Sequence, residues 1–208
     1  MYRIGIDLGG TNIAVGVVDE QYHILHKDSV PTEAQRAPEA IVDDIAMLCH
    51  RVTEAAGFTM EQVAGIGIAA PGTINSRDGY VEYANNLHFT NVPVVAQMNE
   101  MLGVPVYINN DANAAALGEA VAGAAKGAQS ALCITLGTGV GGGIIIDGKI
   151  YTGFNFCGAE LGHSVIEYNG RQCGCGRKGC FEAYSSAPVP TKKLLYVSLL
   201  APYSVNFS

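Results

Sequence analysis

Ile4-Gly5-Ile6-Asp7-Leu8-Gly9-Gly10-Thr11-Asn12 is an apolar run that ends in a glycine pair and two hydrogen-bonding side chains. A second apolar run, Asn12 to Asp19, follows at once, so the segment reads as strand, tight turn, strand. The unit returns as Leu132-Cys133-Ile134-Thr135-Leu136-Gly137-Thr138-Gly139. At a single offset of 128, Ile6 meets Ile134, Leu8 meets Leu136, Gly9 meets Gly137 and Asp19 meets Asp147. An ungapped match over the whole unit marks an internal repeat. The expected architecture is therefore a duplicated α/β chain whose halves face each other across a cleft, each offering its glycine turn to a ligand.

Outward from the first turn, Arg3 to Gly9, Asn12 to Asp19 and Ile24 to Val30 read as strands. Ile41, Ile45, Leu48, Val52 and Ala55 are spaced by three and four, one face of a helix. Val63 to Ala69 is a buried strand closed by Pro71-Gly72. Val94 to Leu102 reads as a helix, Val106 to Asn109 as a strand and Asp111 to Ala122 as an Ala-rich helix. The second half opens with a strand over Ala131 to Leu136 and another over Gly143 to Asp147. This predicts an N-terminal α/β domain over 1–123, a partial C-terminal one over 124–186, and an atypical tail over 187–208. In the tail Pro188 and Pro190 break any helix, and no Asp, Glu or Gly follows Glu182. That shift predicts a changed reading frame or a foreign tail ahead of a genuine short variant. A second half that stops early is expected to expose a sheet face and an edge.

The composition sets the class. The 208 residues are 49% hydrophobic and 15% charged, which suits a packed core rather than disorder. A net charge of −7 lacks the basic face a phosphate backbone needs, so no nucleic-acid partner is expected. Met1-Tyr2-Arg3 opens no signal-peptide pattern, and Leu194 to Ala201, the tail's apolar run, is too short to span a bilayer. No membrane partner and a cytoplasmic location follow as expectations. In that compartment the six cysteines are reduced, and clustered cysteines point to metal.

Gly9 and Gly10 let the backbone approach phosphate oxygens, Thr11 and Asn12 can donate hydrogen bonds, and Asp7 can hold Mg²⁺ through water. The second loop, Gly137-Thr138-Gly139-Val140-Gly141-Gly142-Gly143, lacks the lysine of a Walker loop and leads into a strand. It is neither a P-loop nor a dinucleotide fingerprint. Either loop alone reads more readily as a plain tight turn; the pair, at equivalent points of a repeat, carries the phosphate reading. Asp111 stands where a strand passes into a helix. It reads as a helix N-cap, or as a general base kept ionised by the helix terminus, taking the proton of a hydroxyl that attacks a γ-phosphate.

His163, Cys173, Cys175 and Cys180 offer three thiolates and an imidazole, a closed tetrahedral set for structural zinc. Disulfides are the competing reading, though Cys173 and Cys175 are badly placed to bridge each other. Cys49, Cys133 and Cys157 read as buried small apolar residues. Glu160 and Glu182 bracket the cysteine loop, either as solvated carboxylates or as a pair that accepts from vicinal hydroxyls.

Asp7-Leu-Gly-Gly-Thr-Asn12, Asn110-Asp-Ala-Asn-Ala-Ala, Leu136-Gly-Thr-Gly-Val-Gly-Gly-Gly, Gly158-Ala-Glu-Leu-Gly-His163 and Cys173-Gly-Cys-Gly-x-x-Gly-Cys-x-Glu182 occur together and in this order. From Tyr2 to about Ser186 the chain resembles the ROK family of repressors and sugar kinases. The resemblance implies an actin-like ATPase (ribonuclease H-like) duplicated fold, here with its second half incomplete. It implies ATP with Mg²⁺ as cofactor, a structural zinc and a hexose substrate, glucose by family frequency, converted to its 6-phosphate. Asp111 is then the base, and Asn110, Glu160, His163 and Glu182 contact the sugar. Asn86, in Asn85-Asn86-Leu87, and Gly72 match further sugar-contacting positions. Asp7, Gly9, Gly10, Thr11, Asn12, Gly137, Thr138, Gly139 and Gly141 fall on the nucleotide-binding loops. The family's repressors carry an N-terminal helix-turn-helix, for which Asp7 leaves no room, so a kinase is expected. Kinases of N-acetylmannosamine, N-acetylglucosamine and allose share most of the pattern. The other readings are a non-catalytic sugar-binding or regulatory module and a zinc-structured interaction protein. With the later strands missing, the adenine wall and the family's homodimer surface are expected to be lost, and phosphorylation to be poor or absent.

Overall fold

Strands β1 (Tyr2–Leu8) and β2 (Asn12–Val18) pair antiparallel, with Ile4 opposite Val17, Ile6 opposite Val15 and Leu8 opposite Ile13. These six side chains share one face, as period-two alternation requires, and all are buried. The structure is a computed structural model that describes residues 1–137, 139–186 and the backbone of 193–197. Thr138, Pro188 and Pro190 lie outside the described residues.

β3 (Ile24–Pro31) pairs with the other side of β2, and helix α1 (Pro38–Ala55) packs against β2 and β3. Pro38, in the first helical turn, loses no backbone bond there. Ile41, Ile45, Leu48 and Val52 are buried as their spacing predicts, but Ala55 is exposed. The buried stripe instead follows Ile45, Cys49 and Thr53, spaced by four, and the Thr53 hydroxyl donates to the Cys49 carbonyl at 2.6 Å.

β4 (Val63–Ala70) runs parallel to β1. A small antiparallel sheet of β5 (Thr73–Asn75), β6 (Tyr80–Ala84) and β7 (Phe89–Val92) follows, then α2 (Val94–Leu102) and β8 (Val106–Asn110). β8 lies parallel to β4 and completes the order β3-β2-β1-β4-β8. The small sheet has no counterpart in the sequence reading, because strands of three to five residues are too short to show a period. Its Ile74, Val81 and Phe89 join one core with Leu8, Ile45 and Met98.

α3 (Asp111–Ala122) leaves the end of β8 directly. The chain divides inside it into two compact units, Met1–Ala114 and a second from Ala115 onward. In the second unit β9 (Ala131–Leu136) pairs with β10 (Val140–Ile146), and β11 (Lys149–Ile150) with β10. After the cysteine loop come the one-turn helix α4 (Glu182–Ser185) and β12 (Lys193–Val197).

Three features differ from expectation. β10 begins at Val140, not Gly143, because Gly141, Gly142 and Gly143 already pair with β9. The repeated hairpins do not share a register. Leu8 faces Ile13 across four intervening residues, whereas Leu136 faces Val140 across three. A slip of one residue exchanges the faces of β10 relative to β2. The edge of β9, expected to be bare, is paired antiparallel with β12, Lys193 opposite Leu136 through Val197 opposite Leu132. The thinner cover does show on the sheet face: Leu132, Ile134 and Leu136 are only half-buried where Ile4, Ile6 and Leu8 are fully so. Among the described residues no helix is long and apolar enough to cross a membrane.

Candidate functional site

In the first unit the turn after β1 is closed by Gly9, whose N–H donates to the Asn12 carbonyl at 3.0 Å. A Cβ on Gly9 would lie 2.9 Å from that oxygen, and one on Gly10 would lie 2.8 Å from Asn86 Cβ. Both positions therefore require glycine. The N–H groups of Gly10 and Thr11 have no protein acceptor among the described residues, and Thr11, Asn12 and Asp7 are exposed. Unpaired backbone donors at a glycine turn form the concavity that receives an anion. Sequence reasoning missed Thr32, at the end of β3. It is fully buried, its hydroxyl donates to Gly9 O at 2.6 Å, and its N–H donates to Thr11 O at 3.0 Å.

Asn110 and Asp111 both accept from amides at the start of α3. The N-cap is Asn110: its Oδ1 accepts from the amides of Ala112 at 3.0 Å and Asn113 at 3.4 Å. Asp111 occupies the first helical position, exposed, with Oδ1 accepting from the Ala112 N–H at 2.8 Å. A helix N-terminus favours the ionised carboxylate there. Asn110 Nδ2 donates to the Gly72 carbonyl at 3.2 Å, and Asn109 Oδ1 accepts from Asn110 N–H at 2.8 Å. Gly72 itself has φ +92°, and a Cβ would collide with the Tyr83 carbonyl oxygen. The fold thus brings together Gly10 with Asn86, and Gly72 with Asn110.

In the second unit the glycine turn closes with Gly137 N–H donating to Gly139 O at 2.9 Å. Thr138 lies outside the described residues, and Gly141 stands in β10 opposite Thr135. Glu182 holds this turn: its Oε2 accepts from the Val140 N–H at 3.0 Å and would lie 2.6 Å from a Cβ on Gly139. Its other oxygen, Oε1, is 3.7 Å from Cys173 Sγ. Glu160 is exposed and precedes the short helical turn Leu161–His163. That turn lies against β10 so closely that a Cβ on Gly162 would collide with the Val140 carbonyl.

The ligand atoms of His163, Cys173, Cys175 and Cys180 all lie within 4.8 Å of one another. Cys175 and Cys180 sulfurs are 3.6 Å apart, and Cys173 Sγ is 3.8 Å from His163 Nδ1. Tetrahedral zinc with Zn–S of about 2.3 Å needs ligand separations of roughly 3.5–3.8 Å, the spacing of these two pairs. The local sequence builds it with left-handed turns at Gly176 and Gly179, an isolated bridge of Val165 to Cys180, and Phe181 N–H donating to Ser164 O at 2.9 Å. A hydrogen bond from the Arg177 backbone holds the Cys175 thiol down at about 6, while burial pushes Cys180 up to about 11. Cys49 and Cys133 are buried, and burial raises both thiols, Cys49 to about 12. Cys157 is exposed, contrary to its reading as a core residue. It sits in the irregular segment between β11 and Leu161, where no sheet or helix covers it.

Known proteins are similar to this chain in sequence and fold. A profile of the ROK family matches residues 3–190. The glucokinase of Streptomyces coelicolor is 46% identical over 183 residues, which are 88% of this chain and 56% of that protein. The ROK hexokinase of Thermus thermophilus superposes with a TM-score of 0.79 at 38% identity, over 89% of this chain and 60% of that one. A ROK family glucokinase from Streptomyces griseus, in complex with glucose and AMPPNP, gives 0.76 at 41% identity, over 89% and 57%. The chain spans a little over half the length of these relatives. Its fold is part of the actin-like ATPase fold of the ROK hexokinases. With both glycine turns, the Asn110–Asp111 junction and the cysteine loop inside the matched residues, the chain belongs to the ROK family.

Proposed function

We propose that this chain carries the base, sugar contacts and phosphate loops of an ATP-dependent hexose kinase acting on glucose. The observation that carries the reading is the division of labour at the start of α3. Asn110 caps the helix through the amides of Ala112 and Asn113, and Asp111 stands exposed beside it at the first helical position. In the reaction the sugar's 6-hydroxyl oxygen forms a bond to the γ-phosphorus, the bond to the ADP oxygen breaks, and Asp111 takes the hydroxyl proton. Asn110, held by the Gly72 carbonyl, and Asn86, packed under Gly10, are the sugar contacts of the first unit. Glu160, His163 and Glu182 are those of the second.

Asp7, Gly9, Gly10, Thr11 and Asn12 take one part of the nucleotide phosphates with Mg²⁺; Gly137, Thr138, Gly139 and Gly141 take the other. Bound zinc supplies a fixed crosslink, and His163, Cys173, Cys175 and Cys180 hold it. Glucose and an adenine nucleotide are supported by the glucokinase relatives, one of them in complex with glucose and AMPPNP.

The test is ATP-dependent phosphorylation over a panel of hexoses and N-acetylhexosamines, by the purified chain and its Asp111→Ala variant. Weak turnover of glucose, lower still by about 10²–10⁴-fold in the variant, is the expected result. Preference for an N-acetylhexosamine moves the substrate. Glucose binding without any transfer replaces the kinase by a binding module, and equal turnover in the variant removes Asp111 from the base role.

A further inference from the structure

We propose that Thr32 is a positioning residue for the first phosphate loop, shaping it from beneath; the inference rests on the nucleotide reading of that loop. Thr32 lies 23 residues from Gly9 in sequence yet makes two bonds to the turn. Its hydroxyl donates to Gly9 O at 2.6 Å and its N–H donates to Thr11 O at 3.0 Å, and the residue is 0% exposed. Together they fasten the carbonyls on either side of Gly10. The Gly9 and Thr11 carbonyls are thereby occupied by protein, while the N–H groups of Gly10 and Thr11 remain without protein acceptors among the described residues. An anion-receiving turn needs this sorting: oxygens engaged, donors available.

Thr32 is itself held. Arg36 Nη2 donates to the Thr32 carbonyl at 3.2 Å, and the same guanidinium pairs with Asp44 of α1 and with Glu33. The Asp44 bond raises the Arg36 pKa, so the guanidinium stays charged. Glu33 has φ +48°, a left-handed conformation uncommon for a side-chain-bearing residue, and it turns the chain away from the loop just after Thr32. A clamp of this kind acts on ligand affinity through loop shape, without touching the ligand.

Thr32→Val keeps the side-chain shape and deletes the hydroxyl; Thr32→Ser keeps the hydroxyl. Titration calorimetry with AMPPNP and, separately, glucose reads the outcome. Thr32→Val is expected to weaken AMPPNP about tenfold with glucose changed less than twofold, and Thr32→Ser to restore the affinity. Equal weakening of both ligands, or of neither, overturns the proposal, as does a Thr32→Ser variant as weak as Thr32→Val. A wild-type chain that binds no AMPPNP sinks the nucleotide reading instead. Thr32 is then judged by amide hydrogen exchange over residues 9–12. Exchange faster in Thr32→Val and normal in Thr32→Ser sustains the clamp, and unchanged exchange removes it.

Discussion

Asn110 and Asp111 look interchangeable in sequence, two short polar residues at a strand-to-helix junction, but it is Asn110 that accepts from the amides of both Ala112 and Asn113. Which of the two caps the helix is not visible without coordinates, because both residue types are good caps. What the sequence does show is residue type at the right junction, and for Gly72 even that is partial: only the structure gives the φ of +92° and the nearby Tyr83 carbonyl that exclude every other residue. Thr32 was illegible for a different reason, since no local motif connects it to a turn 23 residues away. Cys49 was legible as a buried thiol, and its environment has a measurable effect. Burial moves it from 9.0 to about 12, so between those values the unfolded chain releases a proton that the folded chain keeps. Rising pH then favours the unfolded chain, and the contribution present below about pH 9 is lost as pH climbs toward 12. The melting temperature is expected to fall between pH 8.5 and 11 (about two and a half units) more steeply for wild type than for Cys49→Ala. Parallel curves would show that Cys49 does not set the alkaline limit.

The elements with a clear period or a capping pattern were readable. β1, β2, α1, α2 and α3 stand within a residue or so of their expected bounds, apart from the start of α1, which the apolar spacing does not mark. β5 to β7 were hidden by brevity, and β10 by its own glycines, which read as loop. Those glycines are strand residues because they pair with β9, and Gly142 is small because Ala159 and Leu161 lie directly on it. A Cβ at Gly142 would sit 2.5 Å from Leu161 Cδ1 and 2.9 Å from the Ala159 carbonyl. Gly142→Ala is therefore expected to destabilise the second unit by about 1–3 kcal/mol. Gly118, inside α3, meets nothing within 4 Å of an added Cβ. Gly118→Ala should instead stabilise by about 0.4–1 kcal/mol, through the helix preference and the stiffer unfolded chain. Chemical denaturation of the two variants checks the pair, and shifts of the same sign would contradict the packing described for β10. Glu182 makes the same point: the sequence places it beside the cysteines, and the fold adds the bond to the Val140 amide.

At the scale of the molecule the two units are held differently. The first has a buried core shared by two sheets and two helices. The second has a half-buried sheet face and a four-residue cluster of the kind that closes around zinc. Because such a cluster forms only when its ligands converge, binding of the ion is folding free energy for the unit that holds it. Elemental analysis of the chain as purified is expected to give about one zinc per chain, and Cys175→Ser should lose it. Chelation should lower the melting temperature of wild type and leave the variant unmoved. A wild-type chain free of zinc that melts with the chelated one would refute the site.

The order of the chain adds a matter of timing. Lys193 pairs with Leu136 although 57 positions separate them (193 − 136). At a synthesis rate of about 5–20 residues per second, the edge of β9 waits roughly 3–11 seconds for its neighbouring strand. His163, Cys173, Cys175 and Cys180 all emerge inside that interval. On the ribosome, then, the whole cysteine loop is made while β9 still presents an open edge, and the pace of synthesis becomes a condition on how long that edge stays exposed to other nascent chains.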